Sequence, residues 1–261
     1  MMMKKLQAIV NKKYTLNDEA FLQECKKNLD DNGIVVLPDF INNTALEEIA
    51  QEGKEKQHLA FYTTSKHNIY LVPSDDNFSE DHIRNRLIST EKGCITDDLI
   101  SADSPLKVLY NNELFKSFLC YVLGEKQLYP YVDPLSSVNI HYASDGQGLG
   151  WHFDNSSFAI TLLIAKPKGG GEFEYVRDVR DADAGEMGFE LAEKIVDGKI
   201  PAKSISPEAG TLVLFRGRNS IHRVIPTVGD KTRMLSVLAY NNAPDVALSE
   251  SARMTFYGRL G

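Results

Sequence analysis

Cysteine is scarce in this chain, and the spacing of the few cysteines excludes two kinds of structural site. The 261 residues include three cysteines, Cys25, Cys94 and Cys120, which are odd in number and widely separated. No two of them form a C-x-x-C pair, so the sequence predicts neither a disulfide framework nor a zinc ribbon. Free thiols fit a reducing compartment, and we therefore expect a cytoplasmic protein.

Long apolar runs and an excess of basic charge are also missing. The sequence has no apolar run of the roughly 18 residues that a membrane helix needs, and residues 1–11 turn polar too soon for a signal peptide. Basic side chains number 29 against 36 acidic ones, which gives a formal net charge of −7. Nucleic-acid-binding proteins usually present a basic face. We therefore expect no membrane or nucleic-acid partner, and a small molecule as the substrate.

Short β-segments dominate the second half of the sequence and predict its architecture. Their connections are too short for helical crossovers, so two antiparallel sheets closing into a jelly roll explain the spacing better than β-α-β units do. The long stretch 178–204 predicts a helical insertion between the strands. The strands are expected at residues 136–142, 157–165, 172–177, 210–216, 221–226 and 233–241.

Helical periodicity is concentrated in the first half of the chain. Apolar residues at helical spacing predict a helix over residues 17–30, a second helix capped by Asn43 or Thr44, and a helical pair that begins at Ser104 and ends at Gly124. Residues 58–103 show little periodicity, and we predict loops and short helices there, with solvated histidines. We expect a single domain over residues 1–261, made of a helical support and lid region (1–130), a jelly-roll core (131–245) and a C-terminal segment (246–261).

A histidine and an aspartate two residues apart suggest half of a metal site. His152 and Asp154 follow a glycine-rich turn, and in an extended segment both side chains leave the same face. His222 can supply a third ligand. Two histidines and one carboxylate form the facial triad of non-haem Fe(II) oxygenases. Zinc is the alternative metal, but it favours closed four-coordinate sites, often with thiolate, and no cysteine is near these residues in the sequence.

An arginine downstream of the third ligand suggests an anion site. Arg233 opens a strand whose same-face members Leu235, Val237 and Ala239 are apolar, so that face is expected to be buried. A guanidinium in an apolar row needs an anion, and its planar fork suits a carboxylate. The alternative is an arginine at a strand start that reaches back to solvent.

These residues, in this order, resemble the signature of the Fe(II)/2-oxoglutarate-dependent dioxygenases. The segment 31–40, followed by a helix, resembles the opening segment of the phytanoyl-CoA-hydroxylase-like members. The stretches 104–110, 150–155 and 170–176 are similar to the branch that hydroxylates or halogenates free amino acids such as lysine.

The resemblance implies a fold, cofactors and a reaction. The fold is mainly β with flanking helices around a cupin-like double-stranded β-helix, and Fe(II), 2-oxoglutarate and O₂ take part in the reaction. His152, Asp154 and His222 are the implied metal ligands and catalytic residues, and Arg233 pairs with the far carboxylate of 2-oxoglutarate. The related halogenases have Gly or Ala where Asp154 stands, which leaves a place for chloride. The resemblance therefore implies hydroxylation, with succinate and CO₂ as the other products.

Further candidates surround this set. Many family members have Arg-x-Ser, whereas Ser236 lies three positions after Arg233 and faces the other side of the strand, so Tyr142 and Thr211 are alternative co-substrate contacts. The candidate substrate contacts are Asn155, Ser156, His141, Arg86 and Tyr257. For His141 the direction of the strand face stays open. The alternative for Arg86 is a solvated surface residue, and the alternative for Tyr257 is packing in the core.

The substrate is expected to be a free amino acid, with L-lysine or a similar basic amino acid as the first choice. Asp133, Glu172 and Glu174 are candidate partners for a cationic side chain. The alternatives are a peptidyl or lipid-like substrate, or a cupin-like metal-binding module without turnover. The oligomeric state stays open, and a homodimer is one alternative.

Overall fold

Two antiparallel sheets face each other in the computed structural model, which describes residues 6–261. One sheet has the order β1-β9-β6-β11-β4-β3-β2 and the other the order β5-β10-β7-β8. This architecture confirms the predicted jelly-roll fold with flanking helices. In chain order the strands are β1 (Ile34–Leu37), β2 (Phe61–His67), β3 (Ile88–Ile95), β4 (Val138–Ala143), β5 (Leu149–His152), β6 (Ala159–Ala165), β7 (Phe173–Val176), β8 (Lys203–Ile205), β9 (Leu212–Phe215), β10 (Ile221–Val224) and β11 (Arg233–Leu238).

The helices before residue 124 cover the outer face of the longer sheet. Side-chain caps fix their starts: Asp18 accepts a hydrogen bond from the backbone N–H of Phe21, and Asn42 accepts one from that of Ala45. The second cap lies one residue before the predicted Asn43. The helices are α1 (Glu19–Asn32), α2 (Asn43–Lys56), α3 (Pro105–Tyr110), α4 (Glu113–Leu123), α5 (Phe189–Val196) and α6 (Glu250–Tyr257). No helix within residues 6–261 combines the length and the apolar character needed to cross a membrane.

Strand β4 shows how the longer sheet separates its core from its cavity. Val138, Ile140 and Tyr142 are buried in the apolar core beneath the helices. Asn139 and His141 alternate with them and point toward the shorter sheet, because successive side chains of a strand leave opposite faces. The structure thus settles the direction that the sequence left open.

The hairpin formed by β2 and β3 corrects the prediction of loops and short helices for residues 58–103. The two strands pair from Phe61 opposite Cys94 to His67 opposite Ile88. Their inward positions are polar, including Thr63 and Lys92. These positions face the space between the sheets instead of an apolar core, so the hydrophobic alternation that predicts a strand is absent.

Behind the shorter sheet, the segment 68–87 and the insertion 178–204 pack against each other. Tyr70 stacks on Phe153, with ring centroids 5.3 Å apart, and Trp151 belongs to the same buried cluster. The predicted helix of the insertion is present as α5. This second core supports strand β5, which ends at the first candidate metal ligand.

Candidate active site

The three predicted metal ligands meet on the inner face of the shorter sheet. His152 at the end of β5 is directly opposite His222 on β10, and Asp154 follows two residues after His152. The Nε2 atoms of His222 and His152 lie 3.5 Å and 3.8 Å from Oδ1 of Asp154. One ligand atom from each side chain lies within 4.8 Å of the others, which is close enough for one ion.

Backbone carbonyls hold both imidazoles in the orientation that a metal needs. Nδ1 of His152 lies 2.8 Å from the carbonyl oxygen of Gly150, and Nδ1 of His222 lies 3.0 Å from that of Ser220. Because a carbonyl only accepts, each Nδ1 carries the donated proton and each Nε2 keeps its lone pair. Both rings therefore present Nε2 as the ligand atom.

The carboxylate of Asp154 fits a metal better than it fits the protein alone. Its Oδ2 atom is buried and has no hydrogen-bond partner among the described residues. A Cβ atom at Gly217 would lie 1.8 Å from that oxygen, so any side chain there would displace the carboxylate. A buried carboxylate oxygen without a partner is costly, and coordination to a cation removes this cost. The donor set of two imidazoles and one carboxylate fits Fe(II).

The proton affinities of the three ligands are strongly coupled. Burial and the neighbouring His222 lower the pKa of His152 to about 3. Burial acts against charge on His222 as well, but the Asp154 carboxylate raises its pKa above the ordinary value, and the same pairing holds the pKa of Asp154 low against the effect of burial. A divalent cation would compete with protons for these three groups, so metal binding here would depend on pH.

Arg180 connects the loop of Asp154 to the loop of Gly217. Its guanidinium donates to the carbonyl oxygens of Arg218 at 2.7 Å and Asp154 at 3.2 Å, and lies 4.3 Å from the ring centroid of Phe153. This role could not be predicted from the sequence, because Arg180 lies in a charged stretch typical of a solvated surface. Arg180 is a positioning residue for the carboxylate ligand.

Arg233 points from the longer sheet into the space between the sheets. The residue is 6% exposed, and no carboxylate or carbonyl among residues 6–261 accepts from its guanidinium. Burial lowers its pKa to about 10, so the group stays cationic at neutral pH. A Cβ atom at Gly171 would lie 3.0 Å from Cδ of Arg233. The arginine therefore occupies room left by a glycine, and its guanidinium faces the space between the sheets.

A cavity of about 330 Å³ lies between the sheets and includes the triad and Arg233. Its walls are mostly apolar, and such walls keep water away from a reacting centre. The polar residues His67, Lys92, His141 and Ser156 also line it. The apolar lining includes Phe158, Leu163, Phe173, Val213, Phe215, Leu235, Val237 and Phe256.

The structure contradicts two of the predicted co-substrate contacts. The hydroxyl of Tyr142 donates to the carbonyl oxygen of Gly53 at 2.6 Å, on the side of the sheet that faces the helices. Thr211 is buried outside the cavity, and its Oγ1 atom has no hydrogen-bond partner among the described residues. Neither side chain reaches the space beside Arg233.

The predicted substrate contacts divide into two groups. Ser156 and His141 line the cavity. Asn155 does not, and its carbonyl accepts from Arg218 at 3.0 Å. Two further residues are used elsewhere. Arg86 forms ion pairs with Glu193 and Asp197 at 2.9 and 2.7 Å, and the hydroxyl of Tyr257 donates to Asn139 at 3.0 Å.

Two cavity residues were missed because their strands were missed. Lys92 on β3 lies with its Nζ atom 3.2 Å from Nδ1 of His141. His67 on β2 is not solvated as predicted: its Nε2 lies 2.8 Å from Oγ1 of Thr90, and its ring centroid is 6.1 Å from that of His152. Because residues 63–67 are all polar, the sequence carries no period-two signal for this strand.

Comparison with known proteins gives one family and a set of similar folds. Residues 16–256 match the family described as HalD, Halogenase D. A comparison with curated proteins found no match. A 2OG-Fe(II) oxygenase family oxidoreductase from Burkholderia pseudomallei has 15% identity and a TM-score of 0.54, over 88% of this chain and 94% of that chain.

Two further solved structures are similar at comparable levels. The epimerase SnoN from nogalamycin biosynthesis, a non-haem α-ketoglutarate-dependent enzyme, has 11% identity and a TM-score of 0.57, over 86% of this chain and 83% of that chain. A prolyl hydroxylase from Trichoplax adhaerens, in complex with a peptide fragment, has 14% identity and a TM-score of 0.54, over 87% and 94%. At these identities the similarity concerns the fold.

Proposed function

Because the chain belongs to the halogenase D family, we propose that it is an Fe(II)/2-oxoglutarate-dependent hydroxylase of an unactivated C–H bond in a free amino acid. The predicted superfamily of 2-oxoglutarate-dependent oxygenases is confirmed by this membership together with the fold. The choice of hydroxylation and the substrate class are our proposal.

The triad would hold the iron, and two histidines with one carboxylate leave three coordination positions free. With iron, 2-oxoglutarate and O₂ bound, the site would supply the oxidation of a C–H bond, with succinate and CO₂ as further products. The protein's own part is to fix geometry: Gly150 and Ser220 orient the imidazoles, and Arg180 ties down the loop that carries Asp154.

Arg233 would bind the far carboxylate of 2-oxoglutarate. Its guanidinium is buried, cationic and free of a protein anion among the described residues, and two parallel hydrogen bonds to a carboxylate would satisfy it. Phe173 and Phe215 line the cavity beside His222, with ring centroids 5.5 and 4.9 Å from that of the imidazole, and keep water away from the site.

The carboxylate of Asp154 is the single observation that favours hydroxylation over halogenation. It lies beside both histidines and fills the position that the related halogenases leave to chloride by having Gly or Ala there. As a third protein ligand, the carboxylate would itself supply the negative charge that a halide supplies in those enzymes. The family is named for halogenation, so this residue decides what we expect of the present chain.

A cavity of about 330 Å³ suits a small substrate better than an extended chain. The cavity does not favour lysine, because none of the three carboxylates expected to receive its ammonium group lines the cavity. The Oε2 atom of Glu172 is buried and has no hydrogen-bond partner among the described residues, but it lies outside the lining. Asp133 accepts from the backbone of Leu135 and Leu248, and Glu174 pairs with Arg223 at 2.7 Å.

The decisive experiment is anaerobic loading with Fe(II) and 2-oxoglutarate, followed by O₂ and a panel of free amino acids, with and without chloride. We expect succinate and an amino acid that has gained one oxygen atom, detected by mass spectrometry. A chlorinated product would refute hydroxylation. Succinate that no amino acid stimulates would move the substrate to peptides or lipids. Failure to bind Fe(II) and 2-oxoglutarate would leave a metal-binding module without turnover.

A further inference from the structure

The charges that line the cavity are unevenly distributed. Among the residues described, the only carboxylate in its lining is Asp154, which belongs to the metal triad. Two basic side chains, Lys92 and Arg233, face the same space from the longer sheet. If Arg233 binds the co-substrate, Lys92 remains without an anion.

Lys92 and His141 form a pair of donors on adjacent strands. The Lys92 ammonium donates to Nδ1 of His141 at 3.2 Å, which leaves the proton of the neutral imidazole on Nε2. Thr63, directly opposite Lys92 on β2, adds a cavity-lining hydroxyl. No carboxylate forms a salt bridge with Lys92 within the described part of the chain, and its nearest π-contact is the ring of Phe256 at 5.6 Å.

Desolvation makes this arrangement costly without an anion. Burial lowers the pKa of Lys92, and burial together with the charges of Lys92 and Arg233 lowers the pKa of His141 well below its ordinary value. An unpaired ammonium beside an imidazole that cannot share the charge is unfavourable in an apolar cavity. A carboxylate accepting from both groups would remove the penalty.

We propose that Lys92 and His141, with Thr63 beside them, bind the carboxylate of the substrate, and that the substrate is an amino acid with a neutral, apolar side chain. This inference rests on the proposed function. If Arg233 binds 2-oxoglutarate, Lys92 is the remaining cationic group in the lining, and the carboxylate of the substrate would pair with it. A basic side chain would meet walls such as Leu235 and Val237 with no acidic partner, so basic amino acids are disfavoured.

The first arm of the test uses the wild-type protein. Anaerobic calorimetry on the protein loaded with Fe(II) and 2-oxoglutarate compares L-leucine, L-isoleucine and L-norleucine with L-lysine, and each of them with its carboxamide. We expect the neutral amino acids to bind more tightly than lysine, and each carboxamide at least about tenfold more weakly than its acid, because a charge-assisted hydrogen bond is lost. Tighter binding of lysine, or equal binding of acid and carboxamide, would overturn the proposal.

The second arm uses variants of the same hairpin. Lys92→Met should weaken binding of the preferred amino acid at least about tenfold and abolish the preference for acid over carboxamide, while KM for 2-oxoglutarate stays within about twofold. Lys92→Arg should keep the preference. Lys66→Met is the matched control, because Lys66 is exposed on the opposite face of β2. A rise of the 2-oxoglutarate KM in Lys92→Met, without a change for the amino acid, would assign Lys92 to the co-substrate instead.

Different results would contradict the proposed function and the proposed substrate subsite. If the wild type does not bind Fe(II) and 2-oxoglutarate, the proposed function is wrong. If it binds both and forms succinate, but no amino acid is distinguished from its carboxamide, only the Lys92 and His141 subsite is wrong. The comparison of acid with carboxamide needs no variant, so a folding defect in Lys92→Met leaves that arm intact.

Discussion

Gly217 illustrates how a residue without a side chain determines a metal ligand. Its backbone approaches the carboxylate of Asp154 so closely that an added Cβ would lie 1.8 Å from Oδ2. We expect Gly217→Ala to displace the carboxylate and weaken Fe(II) binding by about ten- to a hundredfold, as loss of a supporting contact does in other metal sites. Anaerobic Fe(II) titration, with circular dichroism to verify the fold, measures this effect.

The control for Gly217→Ala is Gly169→Ala, where the new Cβ would lie at an ordinary contact distance of 3.4 Å from Val228. Neither glycine has a positive φ, so backbone strain does not separate the two variants. Equal Fe(II) affinity in both variants would show that the position of the Asp154 carboxylate does not limit metal binding.

Arg233 is a second residue whose role a substitution can test. Arg233→Met should raise KM for 2-oxoglutarate by about tenfold or more, because a buried charge-assisted pair is lost, and Arg233→Lys should recover part of it. Succinate formation against 2-oxoglutarate concentration measures the change. Arg223→Met is a suitable control, since Arg223 pairs with Glu174 and does not line the cavity. An unchanged KM in Arg233→Met would place the co-substrate carboxylate elsewhere.

The C-terminal helix α6 is stabilised by an ion pair that is sensitive to acid. Arg259, just after the helix, binds Asp98 at 2.7 Å. Burial raises the pKa of Asp98, but the hydrogen bonds from Arg259 and Thr96 outweigh it and hold the pKa below its ordinary value. The stabilisation is therefore fully present above about pH 4, the ordinary range of an aspartate, and disappears as the pH falls through the lowered pKa.

We expect Asp98→Asn to speed hydrogen exchange in α6 at neutral pH, with a loss of unfolding free energy below about 1 kcal/mol because the pair is partly exposed. The difference from the wild type should vanish in strong acid, where Asp98 is protonated in both states. Exchange measured by mass spectrometry across the pH range tests this. A difference that persists or grows toward low pH would contradict the role of the ion pair.

The elements also show what the sequence could predict. Strand β4 could be predicted because Val138, Ile140 and Tyr142 carry one apolar face into the core beneath the helices. Strand β11 could be predicted from its apolar residues Leu235 and Val237, although these line the cavity and do not enter that core. The hairpin β2–β3 was missed because its inner positions, such as Thr63 and Lys92, face a cavity. The triad could be identified from residue types and spacing. That Tyr142 and Arg86 do not belong to the site could not be predicted. Tyr142 bonds to Gly53 and Arg86 pairs with Asp197 just after α5, and both partners are distant in sequence.

For the whole molecule, ligand binding should connect the two sheets. The triad lies on the shorter sheet and Arg233 on the longer one, so 2-oxoglutarate bound to both Fe(II) and Arg233 would connect the two sheets. At ligand concentrations about a hundredfold above Kd, binding adds about 2.7 kcal/mol to the unfolding free energy, which corresponds to a rise in Tm of about 5–10 °C. Anaerobic scanning calorimetry with and without a chelator measures it.

Arg233→Met separates the two contributions to this rise. We expect the variant to keep the increase caused by Fe(II) and lose most of the increase caused by 2-oxoglutarate. A wild-type Tm that Fe(II) does not change would argue against a metal site in the triad.

The pairing of β5 with β10 places His152 directly opposite His222. A slip of one residue in either strand would turn its imidazole to the opposite face of the sheet. Iron uptake is consequently a readout of strand alignment: a preparation in which part of the protein is misaligned would bind less than one equivalent of iron, even if its helices and its overall size were normal. Counting bound iron therefore counts correctly folded molecules.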